Sequence, residues 1–205
     1  MPMNTAESPA ESPEAVPRAR TRSGMPRPKP GWLRVKPTLR GRGFVVGMVD
    51  AVGPETNGFA PRDRVAWRDR GAEMDALVLV EQTDVLGVPA WITDEHVVSY
   101  LGPGLVARAL VRTRPLVRGA EVRIDSSDRV VAELTAAWAR SLGAQVVEGD
   151  RSQAMAIRDE PQARRIGLGS HGKLAQVAVE VFEAVRSGVF DGVGTIEGSP
   201  PYLAT

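Results

Sequence analysis

The sequence of 205 residues contains no cysteine, which excludes disulfide bonds, thiolate zinc sites and iron–sulfur clusters. It has two histidines, His96 and His171, so a histidine-rich metal centre is excluded as well and we expect no bound metal. No run of about 18 apolar residues occurs, which argues against a membrane span. The N-terminus has no apolar signal segment, so the sequence predicts a cytoplasmic protein.

An excess of charge of one sign is also missing. The chain has 26 basic and 25 acidic side chains, a formal net charge of +1. Proteins that bind nucleic acid need a basic excess on one face, so we expect no nucleic-acid partner. The hydrophobic fraction of 42% is ordinary, and the length suffices to bury a core in one domain or in two small ones.

Residues 1–30 form a segment of distinct composition. They hold seven of the sixteen prolines and almost no large apolar side chain. Such a segment cannot bury enough surface to offset the entropy lost on ordering. We therefore predict an arm that is disordered or lies loosely on the surface. It either docks a partner or covers a pocket, or it is a solvated leader without such a role.

The first half of the remaining chain has the pattern of short strands. Apolar and polar residues alternate, and the strands are separated by Gly and Pro turns, which is typical of a small β-barrel or sandwich. Glycines within the second strand indicate bending or close approach of another backbone. The predicted strands cover Trp32–Lys36, Gly43–Gly53, Asp63–Trp67 and Asp75–Val80.

The second half has a helical period with three further strands, so the fold class is α/β. A helix is predicted from Thr93 or Asp94 to Leu110, with a break or kink at Gly102-Pro103-Gly104. Strand, helix and strand in succession then form a right-handed βαβ unit. Its elements are 121–124, 129–141 and 145–148; an irregular stretch at 151–170, a helix at 173–186 and a last strand at 189–196 follow.

Eight short segments, in this order, carry a family resemblance. They are Gly47–Gly53, Gly58-Phe59, Arg62–Trp67, Ile92–Glu95, Gly104–Ala107, Val117–Val122, Trp138–Ala144 and Phe182–Gly188. The chain resembles the zinc-free quinone oxidoreductase and enoyl reductase branch of the medium-chain dehydrogenase/reductase superfamily over most of residues 32–200. The resemblance implies a GroES-like barrel at 31–92, completed by part of the C-terminus, and a Rossmann-like parallel sheet with helices at 93–198.

The chain departs from that family where the cofactor binds. The resemblance implies a glycine-rich turn that lets the backbone approach the pyrophosphate of NADPH. The corresponding turn here, Ser127–Ala132, has no glycine and carries the carboxylate of Asp128. Residues 122–196 are also too few for six strands and five crossovers, which need roughly 90–100 residues. We therefore expect a truncated parallel domain that binds no cofactor.

Three functions remain open. The leading hypothesis is a non-redox biosynthetic enzyme that works without NADPH in an apolar cleft between barrel and parallel sheet. We expect a cyclase, or an isomerase or dehydratase, for a hydrophobic polyketide-type intermediate. The alternatives are an NADPH-dependent reductase with an aberrant turn, and a non-catalytic ligand-binding pseudoenzyme. Because relatives dimerise by joining sheet edges, the resemblance also implies a possible homodimer.

The candidate site residues follow from this hypothesis. Pro103 and Val106 occupy positions that the resemblance associates with nicotinamide contacts. The candidate catalytic residues are Asp125, Asp128 and His171, and the candidate substrate-binding residues are Trp67, Trp91, Tyr100, Pro103, Val106 and Ser127. For the two aspartates, desolvation would favour general-base chemistry. The alternatives are helix capping by Ser127 and Asp128, core packing for the aromatic rings, and an exposed loop position for His171.

Overall fold

The computed structural model describes residues 27–71, 73–113, 115–149, 153–160 and 171–193. The first 26 residues of the predicted arm lie outside this part of the chain, as do residues 194–198 of the predicted parallel domain. Within the described residues, no helix is both long and apolar enough to cross a membrane.

Five antiparallel strands form the first sheet, in the order β4-β1-β2-β3-β5. The strands are β1 (Trp32–Gly41), β2 (Phe44–Val52), β3 (Arg64–Arg68), β4 (Val78–Glu81) and β5 (Val85–Gly87), and a 3-10 turn at Gln82–Asp84 precedes β5. Four of these were predicted with bounds that differ by up to five residues, whereas β5 was missed because three residues are too few to show a period. The sheet curls into a half-barrel.

Glycines in β2 and directly after it allow the close approaches that the sequence predicted. A Cβ on Gly47 would lie 2.4 Å from the carbonyl oxygen of Lys36, next to a register shift between Pro37 and Leu39. A Cβ on Gly53 would lie 2.0 Å from the carbonyl oxygen of Lys29. These two positions exclude a side chain, because the neighbouring backbone fills the space.

Both faces of the half-barrel are buried. Its concave face holds one cluster of apolar side chains, which includes Leu33, Val45 and Trp67. Its other face packs against helices, where Phe44 and Val46 join a larger cluster. One continuous core therefore connects the half-barrel to the rest of the chain, and the domain boundaries proposed from the sequence stay predictions.

Helix α1 (Asp94–Arg112) runs without interruption through Pro103, so the predicted break does not occur, whereas the kink given as its alternative stays a prediction. A proline inside a helix costs about 3 kcal/mol. The flanking glycines offset this cost by allowing close packing: a Cβ on Gly102 would lie 2.5 Å from the carbonyl oxygen of Arg42, and one on Gly104 would lie 2.9 Å from Val181. Burial of aliphatic side chains, at roughly 1.5–3 kcal/mol each, then outweighs the lost hydrogen bond.

The second sheet is parallel, three-stranded within the described residues, and ordered β7-β6-β8. Its elements are β6 (Glu121–Asp125), α2 (Arg129–Ser141), β7 (Gln145–Val146) and β8 (Met155–Arg158). The βαβ unit is confirmed, although β7 is shorter than predicted. Strand β8 lies in the stretch that was predicted to be irregular. It was missed because a strand of four residues, of which Ile157 alone is fully buried, is too short to show an alternation of apolar and polar residues.

The order of the parallel strands shows what the second sheet lacks. In the common doubly wound order 3-2-1-4-5-6, β6 occupies the first position, β7 the second and β8 the fourth. Residues 147–154 connect β7 to β8 on the opposite side of β6, and those of them that the structure describes form neither a third strand nor its preceding helix. Val122 of β6 and Ile157 of β8 are buried, while Glu121 and Arg123 alternate with Val122 and point to the other face.

Helix α3 (His171–Arg186) ends as the sequence predicts, with Gly188 at φ 73°. A strand was predicted from Val189, but residues 189–193 form turns, so that part of the prediction is wrong. Gly192 also has positive φ, and the ring of Phe190 packs edge-on against Trp138 with centroids 4.9 Å apart. This aromatic contact fixes a compact turn over α2 instead of an extended strand. Residues 194–196 lie outside the described residues.

Candidate functional site

The N-terminus of α2 is closed by a side chain of its own turn. One oxygen of Asp128, Oδ1, accepts hydrogen bonds from the backbone N–H of Val130 at 2.9 Å and of Val131 at 3.2 Å. These are amides that a helix start leaves without an internal partner, and that anions such as phosphate otherwise bind. The capping role weighed for Asp128 in the sequence is thus present in the structure.

The rest of this turn holds Asp128 in place. The Ser126 hydroxyl accepts a hydrogen bond from the backbone N–H of Asp128 at 3.2 Å and donates one to Asp159 at 2.8 Å. From the half-barrel, Arg42 brings its guanidinium to 3.5 Å from Oδ1 of Asp128. The carboxylate therefore already has two amides and one cation as partners.

A cavity of about 1040 Å³ lies alongside α2, from Ala132 in its first turn to Ser141 at its end. One wall is the face of α2 that carries Ala132, Ala136 and Arg140, and the ends of β6 and β7 form the second wall. Residues 189–193 form the third wall. None of its described lining residues comes from β1–β5, so this cavity is not the cleft between the two sheets that the sequence predicts.

The predicted catalytic residues lie in different places. Asp125, at the end of β6, lines the cavity. Ser127 and Asp128 lie in the turn before α2, and Asp128 caps the helix. His171 is the first residue of α3, and its side chain lies outside the described part of the chain. The structure therefore places one of the three at the cavity, and the roles proposed for all of them stay predictions.

The predicted substrate-binding aromatic residues do not converge. Trp67 is 4% exposed in the core of the half-barrel, and Tyr100 is 5% exposed in α1. Trp91 is 43% exposed, with the guanidinium of Arg186 located 5.6 Å from its ring centroid. Trp67 and Tyr100 thus lie in the core, as the alternative interpretation of the aromatic rings predicts.

Pro103 and Val106 belong to the buried part of α1. Pro103 lies between the two close-packed glycines of that helix and is buried. Val106 is half-buried, and packs against the cluster beneath the parallel sheet that includes Leu110 and Val122. Neither residue is among those lining the cavity beside α2. Their assignment as substrate-binding residues stays a prediction.

Sequence reasoning missed the third wall of the cavity. The hydroxyl of Tyr100 donates a hydrogen bond to the carbonyl oxygen of Val193 at 3.0 Å, and its ring lies 5.7 Å from that of Phe190. Burial raises the pKa of Tyr100 above its ordinary value, and the negative charge of Asp191 raises this pKa further. The signal in the sequence was the pair Gly188 and Gly192, which bracket the turn.

No metal site is visible in the part of the chain that the structure describes: no three histidine, aspartate or glutamate side chains lie close enough together to hold an ion.

The sequence has no match among protein-family models or curated proteins. The structure is similar to solved structures. The Pseudomonas syringae pv. tomato DC3000 quinone oxidoreductase has a TM-score of 0.64 and 14% identity, over 82% of this chain and 84% of that chain. The Escherichia coli quinone oxidoreductase complexed with NADPH gives the same values. A 2-haloacrylate reductase has a TM-score of 0.62 and 16% identity, over 82% and 83%. At such identities the likeness establishes the fold.

Proposed function

We propose that this chain, which has the fold of the quinone oxidoreductases in the medium-chain dehydrogenase/reductase superfamily, acts without a nicotinamide cofactor. The observation that carries the proposal is the capping of α2 by Asp128, whose Oδ1 accepts hydrogen bonds from two backbone N–H groups. The amides that would bind a pyrophosphate already have an anionic partner within the chain.

The strengths of the electrostatic interactions at this turn support the proposal. A helix N-terminus favours an anion by about 0.3–1 kcal/mol at an exposed site. Two unit negative charges 4 Å apart repel by about 4 kcal/mol at an effective dielectric constant near 20. A pyrophosphate placed beside Asp128 would therefore be repelled more strongly than the helix attracts it. Arg42 reduces the repulsion, but its guanidinium already contacts the same carboxylate.

The reaction that we propose is an internal rearrangement of an apolar substrate, most simply the cyclisation of a polyketide-type chain. One carbon of the substrate loses a proton to Asp125 and attacks a carbonyl carbon of the same molecule. The proton then returns to the carbonyl oxygen, so the product is an isomer and no hydride is needed. Holding a flexible chain in its reactive conformer can lower the barrier by several kcal/mol.

The test combines a binding measurement with a turnover measurement. NADPH is titrated by fluorescence up to about 1 mM, the top of the usual range of Michaelis constants. Linear polyketide thioesters are then incubated with the chain without any cofactor and followed by mass spectrometry and chromatography. We expect no saturable NADPH binding and the appearance of an isomeric product. Turnover that strictly requires NADPH would contradict the proposal.

Two other functions have an observation in their favour. The reductase alternative is supported by the fold, because one structural neighbour is a quinone oxidoreductase solved with NADPH. The non-catalytic alternative is supported by the cavity, where Asp125 is the single candidate catalytic residue among the described lining residues. Saturable NADPH binding favours the first, and a bound ligand recovered unchanged after long incubation favours the second.

A homodimer and a cytoplasmic location also belong to this proposal. The short parallel sheet has β7 and β8 at its two edges within the described residues, and edges of this kind are usually covered. Light scattering at several protein concentrations tests the dimer, and a constant monomer mass would contradict it.

A further inference from the structure

The cavity beside α2 occupies the place of a missing element. In the common doubly wound order, the second strand is followed by a helix that packs next to the first helix on the same face of the sheet. Here β7 is the second strand, and the chain continues from it to β8 on the far side of β6. The cavity is lined by the ends of β6 and β7 and by the outward face of α2, which the absent helix would cover.

The floor of this cavity is formed by small and apolar side chains. Ala132, Ala136 and Ala137 of α2 lie opposite Val146 of β7, and Val189 closes the third side. Small residues keep the cavity wide, so an extended apolar chain can lie along the helix. The lining includes Ala132, the last residue of the turn Ser127–Ala132, but neither Ser127 nor Asp128.

The charges around this floor are mostly negative. Asp125, Glu133, Glu148 and Asp191 line the cavity, against Arg123 and Arg140. Glu133 pairs with Arg129 outside the lining, since its Oε1 lies 2.7 Å from Nε of Arg129, and the remaining lining charges are three carboxylates and two arginines. Asp125 and Glu148 lie at the carboxyl ends of neighbouring strands, so two carboxylates flank the upper end of the cavity. An ammonium group placed there would be attracted, whereas a carboxylate would be repelled.

We propose that the cavity beside α2 binds an elongated amphiphile with a basic nitrogen, whose apolar chain lies on Ala132 and Ala136 and whose ammonium group lies near Glu148, so that Asp125 is left to act as the base of the proposed reaction. This inference rests on the proposed function, because it adds a basic nitrogen to the polyketide-type chain and gives that chain a place. It moves the substrate site from the cleft between the sheets to the side of α2.

Three eight-carbon probes with one chain and different head groups test the proposal: octylammonium, octanoate and octanol. Each is titrated into the full chain by calorimetry. We expect octylammonium to bind saturably and about tenfold more tightly than octanoate, a difference near 1.4 kcal/mol. Equal affinities, or tighter binding of octanoate, would overturn the proposal.

Three variants test where octylammonium binds. Ala132→Phe fills the cavity and should weaken octylammonium binding about tenfold. Glu148→Gln, at an exposed position, should reduce the preference for octylammonium about threefold and leave octanol binding unchanged. Val179→Phe is the control, because Val179 is 58% exposed on α3 outside the cavity. Unchanged binding in Ala132→Phe, or an equal loss in the control, would overturn the proposal.

A second copy of the chain is the competing occupant of this cavity. If Ala132→Phe converts a dimer into a monomer in light scattering, the cavity is an interface and the ligand proposal is wrong. These readouts are independent of NADPH. Absent NADPH binding together with absent amphiphile binding therefore rejects the ligand site alone, whereas NADPH-dependent turnover rejects the proposed function.

Discussion

The two sheets of this molecule differ in how completely they are built. The half-barrel has strands of up to ten residues and is buried on both faces, with Leu33 and Val46 fully buried on opposite sides. The described parallel sheet has three strands of two to five residues, and α1 and α2 pack on one face. The half-barrel is the more extensive of the two described sheets, and the shorter parallel sheet leads into the turn where Asp128 caps α2.

This difference indicates that the residues that stabilise the fold are not those that form the candidate site. Residues that hold the two halves together, such as Leu101 of α1, are retained as a dense apolar core. The turn at Asp128 instead carries a carboxylate that caps α2, and under the proposed function this carboxylate disfavours a dinucleotide. One fold can carry different sites, because its core and its site are formed by different residues.

The largest expected effect comes from breaking the core shared by the two halves. Leu101 is fully buried in the cluster that joins the half-barrel to α1. Leu101→Ala should lower the free energy of unfolding by about 2–5 kcal/mol, because it removes buried methyl groups and leaves a cavity. Urea unfolding, followed by tryptophan fluorescence and by circular dichroism, measures the loss.

The same experiment tests whether the half-barrel and the rest of the chain unfold in one transition. A continuous core predicts one transition with coincident midpoints for both probes. Val179→Ala, at an exposed position, should change the free energy of unfolding by no more than about 0.5 kcal/mol. Two separate transitions, with Leu101→Ala affecting only one, would show that the halves are independent.

A smaller effect is expected at the contact between α1 and the β1–β2 turn. A Cβ at Gly102 would lie 2.5 Å from the carbonyl oxygen of Arg42, and backbone cannot move aside as a side chain can. Gly102→Ala should therefore reduce the free energy of unfolding by about 1–2 kcal/mol, although alanine is the better helix former. Gly87→Ala is the matched control, since its Cβ would meet nothing within 4 Å. Equal stability of the two variants would refute this contact.

The smallest effect is expected at Tyr100. Tyr100→Phe removes the hydrogen bond to the carbonyl oxygen of Val193 and should reduce the free energy of unfolding by about 0.5–1.5 kcal/mol. The pKa of Tyr100 is raised above 10.0 in the folded state by burial first and by Asp191 second. Its contribution is therefore complete below pH 10.0 and is lost as the pH rises through the folded pKa.

Thermal unfolding across the alkaline range tests that pH dependence. The wild type should lose more stability than Tyr100→Phe as the tyrosine ionises, which ultraviolet difference absorbance follows directly. Parallel loss in both proteins would show that the Tyr100 hydroxyl does not stabilise the turn at 189–193.

Local signals in the sequence were sufficient for some elements and misleading for others. Helix α2 was predicted with its bounds, because Asp128 is a strong N-cap and a regular apolar stripe follows it. The break at Pro103 was wrong because tertiary packing of Gly102 and Gly104 outweighs the local cost, and no local pattern reports a neighbour distant in sequence. The turn at 189–193 was misread because Phe190 owes its position to Trp138.

The candidate site was less predictable than the fold. The loss of glycine from Ser127–Ala132 can be read directly, and the capping of Val130 and Val131 by Asp128 follows from residue type. The cavity beside α2 depends on which strand lies beside β6, and that order is set by long-range pairing of β8. The sequence therefore identified the closed cofactor turn but not the cavity.

The most direct measurement is a nuclear magnetic resonance titration of the backbone amides of Val130 and Val131 with NADPH. The account predicts that both signals stay in place up to about 1 mM NADPH, because Asp128 already occupies these donors. Saturable shifts of both amides, together with release of the Asp128 carboxylate from its capping position, would contradict it.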